Sequence, residues 1–554
     1  MSKARAVVMF VVGAIVLVAV CLFLLGLGMI GGPPAATVKR VPPGAQELAW
    51  ISPATNAGIW ASIVEASGRI ERLWANAGEE SSSSCPHIEV NAEKAFSREN
   101  GEVPEIVYTI GKNEDTRIYL RWYKISAQND IASWVSKLAN RKTPPLGIIG
   151  GESTYRALDI ANTLQKHLEE WKGEAPTFLI TTATADNYFL TEPKKTVDPT
   201  KPVRAGKPLM GVYPKRSFRF SFTNTVMTEA VMDFIDEHPE LWPYEPAHAM
   251  AITTGLNPLV SATLLAGDGR PQALWAVAWN DDEYSKDLRH RFRVEFQHRH
   301  DSEDLFDRLQ GDDVPHSIGD VRTPNSDDVH AASFYLEYQG KYKFPRQILA
   351  LPTGAERARR YLRALTSIAP THARRMVAVS GDSIDFNNVY RDRDIDWNVL
   401  DLPVPLVFFS HRNPMQQSAG FHSEPTNDKP WATTGTNELL FYQDLLEAVL
   451  LAAHEEEGLV SNANQFNQRL QTLRWVKGQI TQGTAGPLLF QPDRNRSRGT
   501  GEHIVLVRPH RDGMRVLPLS TISVWTRERT EQRVRLWKRR GMIPKVFYHA
   551  VDPT

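Results

Sequence analysis

Four groups of residues in this chain have types and spacings that could carry chemistry. Ser380 lies in VSGDS, which only loosely resembles the turn that presents a nucleophilic serine, and no G-x-S-x-G, H-E-x-x-H or Walker A pattern occurs anywhere. Asp392, Asp394 and Asp396 alternate in RDRDIDWN as calcium ligands do, but Trp397 stands where such a loop needs glycine. The interleaved Arg391 and Arg393 would also repel the ion, so a solvated loop is the expectation. His290, His298 and His300 cluster in RHRFRVEFQHRH without a carboxylate at ligand spacing, which reads as a basic helix face. The fourth group is the turn GGEST at 150–154. Glycines, hydroxyls and the free N–H groups of a helix start make a place for an anion. Thr182, Ala183 and Thr184 follow the next strand, and Asp382 follows the strand ending at Ser380. Hydroxyls and amides on one side with a carboxylate on the other would suit a zwitterion.

These groups need strands to carry them. Leu146–Ile149 is a short apolar run of the kind a buried parallel strand requires, and Gly150 and Gly151 permit a tight turn. Ser153 can cap a helix whose buried face is Leu158, Ala161, Leu164, Leu168 and Trp171. Phe178–Thr182 is the neighbouring strand. Upstream, Leu48–Ile51, Glu105–Ile110 and Arg117–Ile125 read as strands, with helices over Ala57–Trp74 and Ile131–Leu138 and a serine-rich loop over Gly78–Asn100. Downstream, SFRFSFT at 217–223 alternates as a strand or crossover, and Asn224 can cap a helix faced by Met227, Ala230, Val231, Phe234 and Ile235. Ala273–Trp279, Arg346–Leu351, Met376–Ser380 and Leu406–Ser410 are strands, with helices behind Asp281 and behind the Thr353/Glu356 capping box. Leu439–Ala453 is an apolar helix. Strands over Pro487–Gln491, Ile504–Arg508 and Met514–Leu519 close the fold. Alternating strands and helices in two blocks predict an α/β protein with parallel sheets in two lobes.

Composition narrows the setting. The 554 residues carry 64 basic and 64 acidic side chains, so no global field favours nucleic acid. The two cysteines, Cys21 and Cys85, support neither a disulfide framework nor a zinc site. Ala6–Ile30 is uncharged and almost wholly apolar, a length that spans a bilayer, so it is expected to act as an uncleaved signal anchor. The GGPP and VPPG of residues 31–44 then form a stiff linker. Residues 520–554 hold Arg527, Arg529, Arg533, Arg535, Lys538, Arg539 and Arg540 and read as a basic extension.

The order of motifs resembles the type I periplasmic-binding-protein fold, and within it the leucine/isoleucine/valine-binding family of branched-chain amino acid transporters. GIIGGESTYRALDIA is similar to that family's G-x-x-x-S-x-x-x-A turn and helix, and ITTATADNY to its I-S-x-A-A-T strand end. FRFSFTN, AVAWNDDEYSKDLRHRF and TAGPLLFQPDRNR resemble, in order, its first crossing between lobes, its second-lobe strand and its terminal segment. The first strand departs from the family in lacking a glycine-rich loop, and Ser285 stands where it has glycine. The resemblance implies two Rossmann-like lobes joined by a hinge: residues 45–220 with 411–482, and 221–410 with 483–519. It also implies no covalent chemistry and no cofactor. Ser153 and Thr154 would hold a ligand carboxylate, with Ala183 and Thr184 as the second strand-end contact. Tyr284 would line the cleft and Asp382 would hold an amino group. The implied protein is tethered to the bacterial inner membrane with its body outside the cytoplasm, closes on an amino-acid-like ligand and serves a permease or receptor. A scaffold or sensor with a degenerate cleft is the alternative.

Overall fold

The computed structural model describes residues 37–80, 86–96, 102–111, 116–127, 129–188, 206–238, 241, 273–276, 282–300, 347–354, 358, 361, 376–383, 405–411, 436–455, 458–473, 490, 493–496, 502–507, 522–528 and 547–551. The apolar segment 6–30, the first part of the linker, the triple-aspartate loop and the strand expected over Met514–Leu519 lie outside them. Among the described residues no helix is long and apolar enough to cross a membrane.

The first half of the chain runs β1 (Gln46–Pro53), α1 (Ala57–Glu80), β2 (Ile88–Asn91), β3 (Glu105–Ile110), β4 (Arg117–Ile125), α2 (Ile131–Ala139), β5 (Gly147–Gly150), α3 (Thr154–Lys166), β6 (Thr177–Ile180), β7 (Asn187–Tyr188), β8 (Lys207–Pro208) and β9 (Ser217–Arg219). The remainder runs α4 (Asn224–Glu237), β10 (Ala273–Ala276), α5 (Glu283–His300), β11 (Gln347–Ala350), β12 (Met376–Ser380), β13 (Leu406–Ser410), α6 (Thr436–Ala453), β14 (His454–Glu455), β15 (Gly458–Leu459), α7 (Ala463–Thr472), β16 (His503–Val507), β17 (Ile522–Glu528) and β18 (Phe547–Val551).

Two seven-stranded sheets result, one in the order β2-β3-β4-β1-β5-β6-β9 and the other β10-β11-β12-β13-β16-β17-β18. Neither is wholly parallel, against expectation. The β2-β3-β4 edge of the first sheet and the β13-β16-β17-β18 side of the second are antiparallel. Two local readings change accordingly. Ile88–Asn91, in the stretch expected to be a loop, pairs with β3. The presumed basic extension supplies β17 and β18 as strands of the second sheet, whose pairing needs are met by Ile522–Glu528 and Phe547–Val551. Of the strand expected over Pro487–Gln491 only Phe490 is described, and it bridges to Arg496.

Period-two alternation decides which side chains each core receives. On one face of the first sheet, Leu48, Trp50, Ile106, Tyr108, Leu120 and Trp122 meet α1, α6 and α7. On its other face, Ala49, Ile51, Ile148, Phe178 and Ile180 meet α2 and α3. Ile348, Ala350, Val377, Val379, Val407 and Phe409 of the second sheet take α4 and α5. The chain passes from the first sheet to the second at 220–223, returns after Ser410, and passes again between Arg496 and His503.

One polar group inside the first lobe also fixes where the linker ends. The fully buried Glu47 accepts from Arg121 at 3.0 Å, Arg141 at 2.7 Å and the Tyr123 hydroxyl at 2.5 Å. The same two arginines donate to the backbone carbonyls of Lys39 and Arg40. The linker expected to run free to residue 44 is therefore docked from Lys39 onward. Removing one member of a buried ionic group leaves its partners uncompensated. Glu47→Ala is expected to cost the first lobe about 3–5 kcal/mol in chemical denaturation, and a loss under about 1 kcal/mol would contradict this account.

Candidate functional site between the strand ends

In open α/β sheets, ligands bind beyond the carboxyl ends of strands, where helices leaving adjacent strands diverge to opposite faces. β1 and β5 are adjacent and parallel, with Trp50 beside Ile149. The helix after β1 covers one face of the sheet and the helix after β5 covers the other. A crevice therefore opens between their carboxyl ends. Glycine makes the turn possible: a Cβ on Gly150 would lie 2.7 Å from Ile160, and Gly151 has φ +79°.

Ser153 caps α3, its Oγ accepting from Arg156 N at 3.3 Å, and is exposed. Thr154 and Thr184 are 3% and 1% exposed, and neither hydroxyl has a partner among the described residues. Ala183 is buried and its N–H is already taken by the Gly151 carbonyl at 3.0 Å. Its amide is thus committed within the chain, which departs from the expectation that the strand-end amide faces a ligand. Thr182 donates to the Glu152 carbonyl at 2.9 Å.

The second sheet brings Tyr284 and Asp382 together. The Tyr284 hydroxyl donates to Asp382 Oδ1 at 3.1 Å and accepts from Ser383 N at 3.3 Å. Burial, helped by the Asp382 charge, pushes the tyrosine well above its ordinary titration range. Gly381 lets the ring approach, since a Cβ there would stand 2.7 Å from the hydroxyl. His411 completes the group: its Nε2 lies 2.8 Å from Asp382 Oδ2, and its ring stacks on Phe222 at 5.6 Å. Phe222 belongs to the first crossing and His411 to the second, so the cluster sits where the lobes join. Sequence reading missed His411 because only folding places it beside a residue 29 positions away.

Ser380 is spoken for, donating to the Leu351 carbonyl at 2.7 Å from a buried position. Burial and neighbouring arginines lower the titration of His290 on α5. Thr223, not Asn224, caps α4, accepting from Val226 N at 3.3 Å. Asn224 is freed for a different task.

That task is holding the lobes together. Asp287 on α5 is fully buried and accepts from Asp186 N at 2.8 Å, Asn187 N at 3.2 Å and Asn224 Nδ2 at 2.9 Å. Asp186 accepts from the N–H and hydroxyl of Thr225. Arg291 lies 3.5 Å from Asp186 and 3.7 Å from Asp287. Arg219, fully buried, donates to the carbonyls of Thr184 and Ala185. Asp186 follows β6 of one sheet and Asp287 follows β10 of the other, so this network brings the two carboxyl rims together.

Burial, together with the Asp186 charge, pushes Asp287 up to about 6 from an ordinary 3.8. The folded chain then keeps a proton that the unfolded chain has already released between those values. Stability must fall as pH rises through that window and level off above it. The expected drop is roughly 2–3 kcal/mol in urea denaturation between pH 4 and pH 7, and Asp287→Asn should remove it. Equal slopes for both proteins would sink this assignment.

No protein-family model matches the sequence, and no curated protein matches it. The folded chain is similar to an ABC transporter substrate-binding protein from Desulfitobacterium hafniense, with 12% identity and a TM-score of 0.43 over 84% of this chain and 98% of that one. It is also similar to a leucine-binding protein from Thermotoga maritima, at 12% identity and 0.43 over 84% and 96%. A third is the leucine-, isoleucine-, valine-, threonine- and alanine-binding protein from Brucella ovis in its closed conformation, at 12% identity and 0.46 over 86% and 92%.

Proposed function

We propose that this chain is a solute-binding protein that holds a small polar molecule of amino-acid-like size between its two sheets. The observation that carries this reading is the meeting of the two carboxyl rims. One offers the buried, unpartnered hydroxyls of Thr154 and Thr184. The other offers Tyr284, Asp382 and His411, and the His411 Nδ1 is likewise buried without a partner among the described residues. Buried polar atoms left unpaired are costly, and a polar solute would satisfy them. Three chain crossings between the lobes suit opening and closing as a hinge. The reading extends to an inner-membrane tether over residues 6–30, a body outside the cytoplasm, and a permease or receptor that recognises the closed form.

A scaffold with a disused cleft draws its support from a different observation. Asp382 already has Tyr284 on one oxygen and His411 on the other, and Asp287 already joins the lobes. Ligand binding separates the two. A solute at a hundredfold excess over its dissociation constant stabilises its receptor by about 2.7 kcal/mol. A thermal-shift screen of amino acids, amides, amines and small carboxylates should therefore find at least one stabilising solute. Thr184→Val and Asp382→Asn should each weaken it, and a flat response across the whole screen would favour the scaffold.

A further inference from the structure

Glu152 follows β5 at the crevice between β1 and β5, where Asn56, Ser52 and its own backbone amide act on its carboxyl. Its Oε1 accepts from Asn56 Nδ2 at 3.3 Å, and Asn56 Nδ2 also lies 2.7 Å from Ser52 Oγ. Ser52 ends β1, Asn56 precedes α1 and Glu152 follows β5, so all three line the same strand-end opening. The second carboxyl oxygen, Oε2, is buried and has no hydrogen-bond partner among the described residues. Two more orphans belong to the same rim, the hydroxyls of Thr154 and Thr184. Arg156 is the cation whose charge reaches Glu152, and it does not bond the orphaned oxygen.

An ionised carboxylate offers only acceptors. A carboxylate or phosphate on the solute would meet repulsion here, whereas an ammonium or other N–H group would supply the missing donor. Burial already pushes the Glu152 carboxyl upward, a desolvation cost that an incoming cation relieves. On the opposite rim, Asp382 already faces His411 and Tyr284.

We propose that the first-lobe subsite selects the hydrogen-bond-donating, cationic end of its solute, with Glu152 as the specificity-determining residue and Thr154 and Thr184 as its neutral neighbours. This rests on the solute-binding reading above and reverses the orientation implied by the sequence resemblance, in which this turn holds a carboxylate. The solute class is a primary amine or amino amide rather than an anion.

Isothermal titration of the full chain with matched sets tests it: leucinamide, leucine and 4-methylpentanoate; phenethylamine, phenylalanine and 3-phenylpropionate. The amine should bind at least about tenfold tighter than the anion of its set, the effect of one charge-assisted hydrogen bond. Glu152→Gln should erase that preference, while Thr184→Val weakens every member of a set alike. Anions binding as tightly as amines, with the order unchanged in Glu152→Gln, would overturn the assignment and leave solute binding standing. If no member of any set binds, both the assignment and the solute-binding reading fail. If Glu152→Gln does not fold, the order of affinities in the unaltered chain decides the matter alone.

Discussion

The two halves of this molecule are held in register by one buried acceptor. Asp287 has no water to turn to, so its oxygens must be satisfied by protein; Arg291 of its own helix comes only within 3.7 Å as a charge, and the hydrogen-bond donors come from two segments, the loop after β6 and the start of α4. Because the first belongs to one lobe and the last to the other, satisfying Asp287 aligns two sheets that share no strand. Placing a second carboxylate, Asp186, beside it makes the junction electrostatically strained, and the buried Arg219 and Arg291 offset that strain only in part. A purely apolar seam of similar extent would resist separation more strongly.

Everything with chemical promise lies along that seam. Backbone amides at strand ends are mostly consumed by the chain itself, as at Ala183, so recognition falls to side chains. The first sheet contributes a carboxylate and hydroxyls with unused valence. The second contributes a closed hydrogen-bonded group in which tyrosine, aspartate and histidine fix one another's orientation. One rim is thus open to a partner and the other is preorganised. A scaffold whose cleft had lost its use would gain stability by replacing the orphaned groups with apolar ones.

Much of this was legible in the sequence, and the reasons are physical. Strands such as β5, β11 and β13 are short apolar runs covered on both faces, and that pattern survives any context. The glycine turn and the Ser153 cap were equally readable, because both are local, but the contact of Tyr284 with Asp382 was not. Antiparallel pairing was not readable, since β16 looks like any apolar strand until its partner is known. Nor was the membership of β17 and β18: ISVWTRE carries enough charge to pass for a solvated tail, yet as a late strand of the sheet it needs only one covered face. The long-range pairs, His411 with Asp382 and Asp287 with Asp186, leave no trace in local spacing. Glu152 was visible as a letter in GGEST, but its meaning depends on a missing neighbour, which only coordinates reveal.

Trp50, Trp60 and Trp122 stack in the first lobe, with ring centroids 5.1–5.6 Å apart. They stand directly behind the crevice: Trp60 N bonds the Asn56 carbonyl and the Trp122 indole N–H bonds the Ser52 carbonyl. Indoles this close are near enough to couple their electronic transitions. The cluster is therefore tied through two backbone carbonyls to the strand-end opening, so a solute that shifts Ser52 or Asn56 would shift the indoles with them.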